Sequence, residues 1–142
     1  MRPLLKPEAV WEVESAVGLT AADVLAASGV RSAWFVHAAG LFRQFDALVL
    51  PSAQVFPFDA DWTWPREVAG RRMATYHQWM EVVIPASFAG LPALSVPVGF
   101  SSEGLPMGMQ LIGRCGEDAG MLRLAEAYHQ ATDWPGRRPP AI

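Results

Sequence analysis

The sequence has one cysteine, Cys115, and one lysine, Lys6. A single thiol excludes an internal disulfide and a cysteine-rich metal site, and it suits a reducing compartment, so a cytoplasmic protein is expected. Basic charge is scarce as a field: the net charge is −3, and the arginines are scattered rather than clustered. Without that footprint, nucleic acid is not an expected partner. No uninterrupted apolar run approaches the roughly 20 residues of a membrane span. Met1 to Val10 carries two prolines where an export signal needs an apolar stretch. Neither export nor a membrane partner is expected, and glycine motifs that cradle phosphate are missing as well.

Apolar side chains are what the sequence has in abundance. The hydrophobic share is 51% and the charged share 18%, against a typical charged share of about 25%. At 142 residues the chain suits a single domain with one core. That core leaves apolar surface suited to a partner. Six tryptophans and seven phenylalanines read first as core or interface residues.

Taken in order, residues 1–45 form a helical segment, 46–132 a core of strands and helices, and 133–142 a tail on the surface or disordered. Leu4 to Leu19 places Val10, Val13 and Val17 at helical spacing, with Pro7 in the first turn. Thr20 and Asp23 have capping-box spacing ahead of a second helix over Ala21–Ala27, which Ser28 and Gly29 should interrupt. A third helix is expected over Arg31–Phe45, with Phe35, Ala38, Phe42 and Phe45 on one face. Ala47 to Leu50 reads as a strand buried on both faces and stopped by Pro51. Ser52 to Pro65, rich in Pro, Asp and aromatics, has no period and reads as a long loop folded over something. Arg66 to Ile84 steps its apolar residues by three and four and predicts one long helix ended by Pro85. Ala93–Val98 and Met107–Ile112 predict two strands paired antiparallel through a Gly/Pro turn. A last helix is expected over Glu117–Thr132, and the fold class is α/β.

These elements carry few residues placed for chemistry. Lys6 lies near a terminus, where its amine stays solvated, so it is a poor base for a Ser/Lys system. Ser52, Ser87, Ser95, Ser101 and Ser102 are the candidate nucleophiles, and none sits in a Gly-x-Ser-x-Gly elbow. His37, His77 and His129 fall in separate helical stretches without the spacing of a metal motif. Cys115 could be a thiol activated at the start of the last helix. Asp59 and Asp61 read as turn formers. No catalytic residue, cofactor or metal is assigned, and a small enzyme built on Cys115 or the histidines would need a convergence in space that the sequence does not display.

The ordered series Asp46-Ala-Leu-Val-Leu-Pro51, Phe88-Ala-Gly-Leu-Pro-Ala-Leu-Ser-Val-Pro97, Gly104-Leu-Pro-Met-Gly-Met-Gln-Leu-Ile-Gly113 and Leu122 to Trp134 resembles the C-terminal portion of an amidase signature family enzyme. The resemblance implies helices packed on a small mixed sheet. It also implies a parent activity, hydrolysis of amide C–N bonds through a Ser/cis-Ser/Lys triad carried by a Gly/Ser-rich signature. Nothing in this sequence matches that signature, so no triad residue is carried over. The loop after Pro51 corresponds to a wall of the substrate pocket in such enzymes, which makes Ser52, Gln54 and Phe56 the candidate substrate-binding residues. The expectation is a fragment catalytically incompetent alone, which takes a small amide substrate only when completed by the missing N-terminal amidase portion. Faces that this portion would cover favour a homo-oligomer. The alternative is a non-enzymatic interaction or self-association module derived from the same fold.

Overall fold

A computed structural model describes residues 4–137. Helix α1 (Pro7–Ala16) opens on Pro7, whose fixed φ and missing N–H suit a first turn. Helix α2 (Ala21–Leu41) is capped as its sequence predicts: Thr20 Oγ1 accepts from the Asp23 backbone N–H (3.2 Å), and the Thr20 N–H donates to Asp23 Oδ2 (2.8 Å). The expected break at Ser28 and Gly29 does not occur, and the second and third predicted helices are one. A glycine costs about 1 kcal/mol in a helix interior, which the alanine-rich flanks absorb, and Gly29 has open space around it.

The Thr20 hydroxyl, and after it the Thr20 backbone N–H, holds the exposed Asp23 carboxyl below its ordinary value of 3.8. A depressed carboxyl stabilises the fold above the unfolded value and loses that contribution as pH falls through the folded one. Acidification through that window is therefore expected to fray the first turn of α2. The measurement is the pH dependence of the amide signals of Thr20 and Asp23; Asp23→Asn should remove the step.

Strand β1 (Leu48–Pro51), strand β4 (Ala93–Phe100) and strand β5 (Pro106–Ile112) form a sheet of order β1-β5-β4. The α/β class and the pairing of β4 with β5 agree with the sequence. The sheet, expected to be mixed, is antiparallel in its described pairings. Strand β1, expected to be buried on both faces, shows Val49 56% exposed. It is an edge strand covered on one side only.

Between β1 and β4 the single long helix expected over Arg66–Ile84 is absent. Ala69 and Gly70 both take positive φ, 50° and 81°, and turn the chain into a short hairpin of β2 (Glu67–Val68) and β3 (Arg71–Arg72). A 3-10 helix follows over Tyr76–Val83, broken at Met80 by non-helical backbone. Pro85 does not end a helix: it sits in the first turn of α3 (Ile84–Ala89), which closes on Gly90 in the left-handed region at φ 62°.

Each face of the sheet has its own core. On one, Val96 and Leu111 pack with Met121 and Ala125 of α4 (Asp118–Thr132); on the other, Ile112 packs with Phe42 at the end of α2 and Ala86 of α3. Gly113 permits the first of these contacts, since a Cβ there would lie 2.6 Å from Met121 Cγ. Gly113→Ala is expected to cost about 1–3 kcal/mol through overpacking, read as a lower midpoint in chemical denaturation.

Helix α2 is tied to α3 by Arg31 Nε donating to the Phe88 carbonyl and Trp34 Nε1 to the Pro85 carbonyl, both at 2.8 Å. Ala38 is nevertheless its one buried residue. Val24, Leu25, Val30 and Val36 are all more than half exposed, as are Val13 and Val17 at the end of α1. Among the described residues no single helix is long and apolar enough to cross a membrane; α1 and α2 meet both conditions only together, bent by 112°.

At the other end, Trp134–Arg137 forms the short helix α5 inside the expected tail. Trp134 Nε1 donates to Tyr128 Oη (3.1 Å), which donates to the Pro97 carbonyl (3.0 Å) beside the register shift between Pro97 and Gly99. The rest of the tail, residues 138–142, lies outside the described residues, as do Met1 to Pro3.

Candidate functional site

Where β1 ends, the chain crosses the sheet and opens a cavity of about 450 Å³, within the size range of small-molecule sites. Its walls come from three places. The loop after Pro51 supplies Ser52, Ala53 and Val55–Phe58, the 3-10 helix supplies Trp79, and the hairpin supplies Ser95, Pro97 and Pro106–Gly108. The Ser52 N–H donates to the Gly108 carbonyl at 2.9 Å, so the loop starts as a continuation of the β1 ladder before it turns away. Phe58 then meets the ring of Trp79 edge-on at 5.6 Å and stacks on Trp62 at 6.1 Å. This aromatic cluster is what the loop folds over.

Glutamine side chains fix the wall. Val82, in the irregular second half of the 3-10 helix, donates its N–H to Gln54 Oε1 (3.0 Å) and offers its carbonyl to Gln110 Nε2 (3.1 Å). The same Gln110 amide donates to the Pro51 carbonyl at 2.8 Å, and Gln54 Nε2 donates to the Gln78 carbonyl at 3.2 Å. Gln110 is 6% exposed, the one buried polar residue among those described. A broken helix turn leaves backbone groups without ladder partners, and side-chain amides, with a donor and an acceptor each, replace them.

Ser52 and Phe56 line the cavity, whereas the Gln54 carboxamide is turned to Val82 and Gln78 and holds the wall from outside. Gln110 is a site residue that sequence reasoning does not single out. Its signal is present all the same: a lone carboxamide within the apolar run Met-Gly-Met-Gln-Leu-Ile of a strand needs a buried partner.

Among the described residues, no titratable side chain lines this cavity. Lys6 is the exposed N-cap of α1, and the three histidines are dispersed. His77 pairs with Glu12 at 2.6 Å, His37 packs on Trp34, and His129 closes the last turn of α4. Ser87 returns its hydroxyl to the Val83 carbonyl, and Ser101 Oγ accepts from Glu103 and Leu105 within the hairpin turn. Asp59 accepts from the Asp61 N–H, as expected of a turn former. Cys115 is exposed and precedes the start of α4 at Asp118, so it does not stand at the helix N-terminus. The described residues contain no group of three His, Cys, Asp or Glu side chains placed to hold a metal.

A strand ending in Pro51, an aromatic loop over a cavity and a Gly-Leu-Pro turn in the hairpin beneath it frame the site. The amidase family model matches residues 8–122, and the chain belongs to that family. It is 36% identical over 126 residues to a fatty acid amide hydrolase of Medicago truncatula, covering 84% of this chain and 20% of that one. To one component of the glutamyl-tRNA(Gln) amidotransferase of Ralstonia nicotianae it is 55% identical over 58 residues, 41% of this chain and 12% of the relative. Its fold is that of a bacterial aryl acylamidase of the amidase signature enzymes, with a TM-score of 0.82, 24% identity, and coverage of 98% of this chain and 30% of the other. The chain thus spans between about an eighth and a fifth of the curated relatives named here.

Proposed function

We propose that this chain is the C-terminal portion of an amide-hydrolysing enzyme, that it forms one wall of the substrate pocket, and that it is catalytically incompetent alone. One observation carries this reading: among the described residues, the cavity presents serine hydroxyls but no lysine, histidine or carboxylate that could take a proton from them. A serine hydroxyl is a weak nucleophile at neutral pH and needs an adjacent base. A shaped, mostly apolar wall without that base binds a substrate and leaves the covalent chemistry to residues elsewhere. The exposed apolar faces of α1 and α2 support the same reading, because they would be covered in a completed enzyme.

The test is reconstitution. The purified chain is assayed on simple aliphatic and aryl amides, then mixed with the upstream portion of a relative that carries the Gly/Ser-rich signature. No turnover alone and turnover after mixing is the expected result. Turnover by the chain alone, abolished by substitution of one of its own serines, would refute the reading.

A second reading rests on the same exposed faces: the chain is a binding module, or pairs with itself through α1 and α2, without enzymatic work. Light scattering separates the two. A stable dimer that no upstream portion disrupts favours the module, whereas a monomer at micromolar concentration removes self-association.

A further inference from the structure

We propose that Ser52 and Ser95 are specificity-determining residues, a two-point polar anchor that reads a neutral carboxamide presented on a flat apolar body. The proposal rests on the reading of the cavity as a substrate wall and names what that wall selects. A Cβ built on Gly108 would lie 2.6 Å from Ser52 Oγ and 3.2 Å from Ser95 Oγ, so both hydroxyls converge on the same point above that glycine. They come from different elements, Ser52 from the loop after β1 and Ser95 from β4, and Gly108 lies on β5 between them. Glycine is what lets the hydroxyls come this close to β5, beside the Val96 carbonyl oxygen, 3.2 Å from the same built Cβ, since any side chain there would displace the Ser52 hydroxyl.

Ser52 is half-buried and Ser95 exposed, so both can reach a ligand, and neither hydroxyl has a hydrogen-bond partner among the described residues. Ser87 and Ser101, by contrast, are engaged with backbone groups. A hydroxyl both donates and accepts. Two of them side by side match a primary carboxamide, whose carbonyl accepts and whose NH₂ donates. The lining offers no cation among the described residues, so a carboxylate of the same shape would lose hydration without gaining a counter-charge. Around the anchor, Val55, Phe56, Phe58 and Met107 give an apolar surface suited to an aryl group.

The probe is benzamide, titrated into the ¹⁵N-labelled chain with amide shifts of Ser52, Ser95 and Gly108 as the readout, and with benzoate as the charged isostere. Benzamide is expected to shift these three amides. Ser52→Ala and Ser95→Ala, which remove one hydroxyl each without adding bulk, should each weaken it by about three- to tenfold, the worth of one net hydrogen bond. Benzoate should bind about tenfold more weakly or not at all. The unperturbed amide spectrum of each variant away from the cavity shows that folding is intact. Absent shifts with benzamide, benzamide affinity unchanged in both alanine variants, or equal binding of benzoate would each overturn the anchor. The two proposals fail separately. Serine-dependent benzamide binding without amide turnover in the reconstituted enzyme removes the functional reading and keeps the anchor. Turnover with unchanged KM in both alanine variants removes the anchor and keeps the functional reading.

Discussion

Gln110→Leu is expected to destabilise the chain by about 1–3 kcal/mol, because two carbonyls lose their donor, one on half-buried Val82 and one on Pro51, which water can partly reach. The carbonyls are those of Pro51 and Val82, which Gln110 Nε2 reaches at 2.8 and 3.1 Å. Leucine keeps nearly the same volume, so the loss is polar rather than a packing defect. Gln110→Glu separates the contributions further. At neutral pH it would set a carboxylate against two carbonyl oxygens in a buried site and is expected to cost more than leucine. Acidification should then recover part of the difference, because a protonated carboxyl can donate once. Chemical denaturation with an unchanged m-value measures the cost. Amide exchange at Val82 and neighbouring positions reports whether the wall loosens before the sheet does. If Gln110→Leu and the parent chain have the same midpoint, the clamp does not hold the fold.

Ile112→Ala is expected to cost about 2–5 kcal/mol, the range for large-to-small changes in a well-packed core. Ile112 is 2% exposed and pairs with both Leu48 and Ala93, so it is fixed from two sides of the sheet and cannot move to fill the space. Its neighbours Phe42 and Ala86 come from α2 and α3 and are held in place by backbone-directed hydrogen bonds from Arg31 and Trp34. Val36→Ala serves as the control. Val36 is 70% exposed, and the same kind of truncation there should fall within about 0.5 kcal/mol of the parent. On the proposal that an upstream portion covers this face, Val36→Ala should weaken reconstitution even though it leaves the isolated chain unchanged.

Elements whose local signals agree with their surroundings are legible from sequence. Thr20 and Asp23 announce a capping box and form one, Ala93–Val98 and Met107–Ile112 announce a hairpin and pair as such, and α4 ends where His129 and Thr132 place it. Misreadings arise where two signals compete. Ser28 and Gly29 suggest a break, but propensity is a weak constraint against twenty-one residues of continuous helix. Arg66 to Ile84 has helical apolar spacing, yet positive φ at Ala69 and Gly70 reverses the chain inside it. Pro85 reads as a stop because proline ends helices, although it serves equally well to begin one.

The site is legible in part. Ser52 and Phe56 can be named because the family resemblance locates the loop after Pro51. Gln54 has a different place, because the broken 3-10 helix it serves has the apolar spacing of a regular helix that needs no outside partners. Convergence of Ser52 and Ser95 over Gly108 depends on the register of three strands, and register is a property of the assembled sheet rather than of any one segment.

The clamp also has a consequence in time. Strands β4 and β5 are neighbours in sequence and can pair after closing only the short turn between them, whereas Gln110 reaches Pro51 across 59 residues. Loop-closure entropy must be met before such a distant contact returns any stabilisation. The hairpin can therefore exist before β1 joins it, and the cavity can exist only afterwards. During folding, the cavity wall is therefore assembled after the hairpin it stands on, so its integrity reports on the docking of β1.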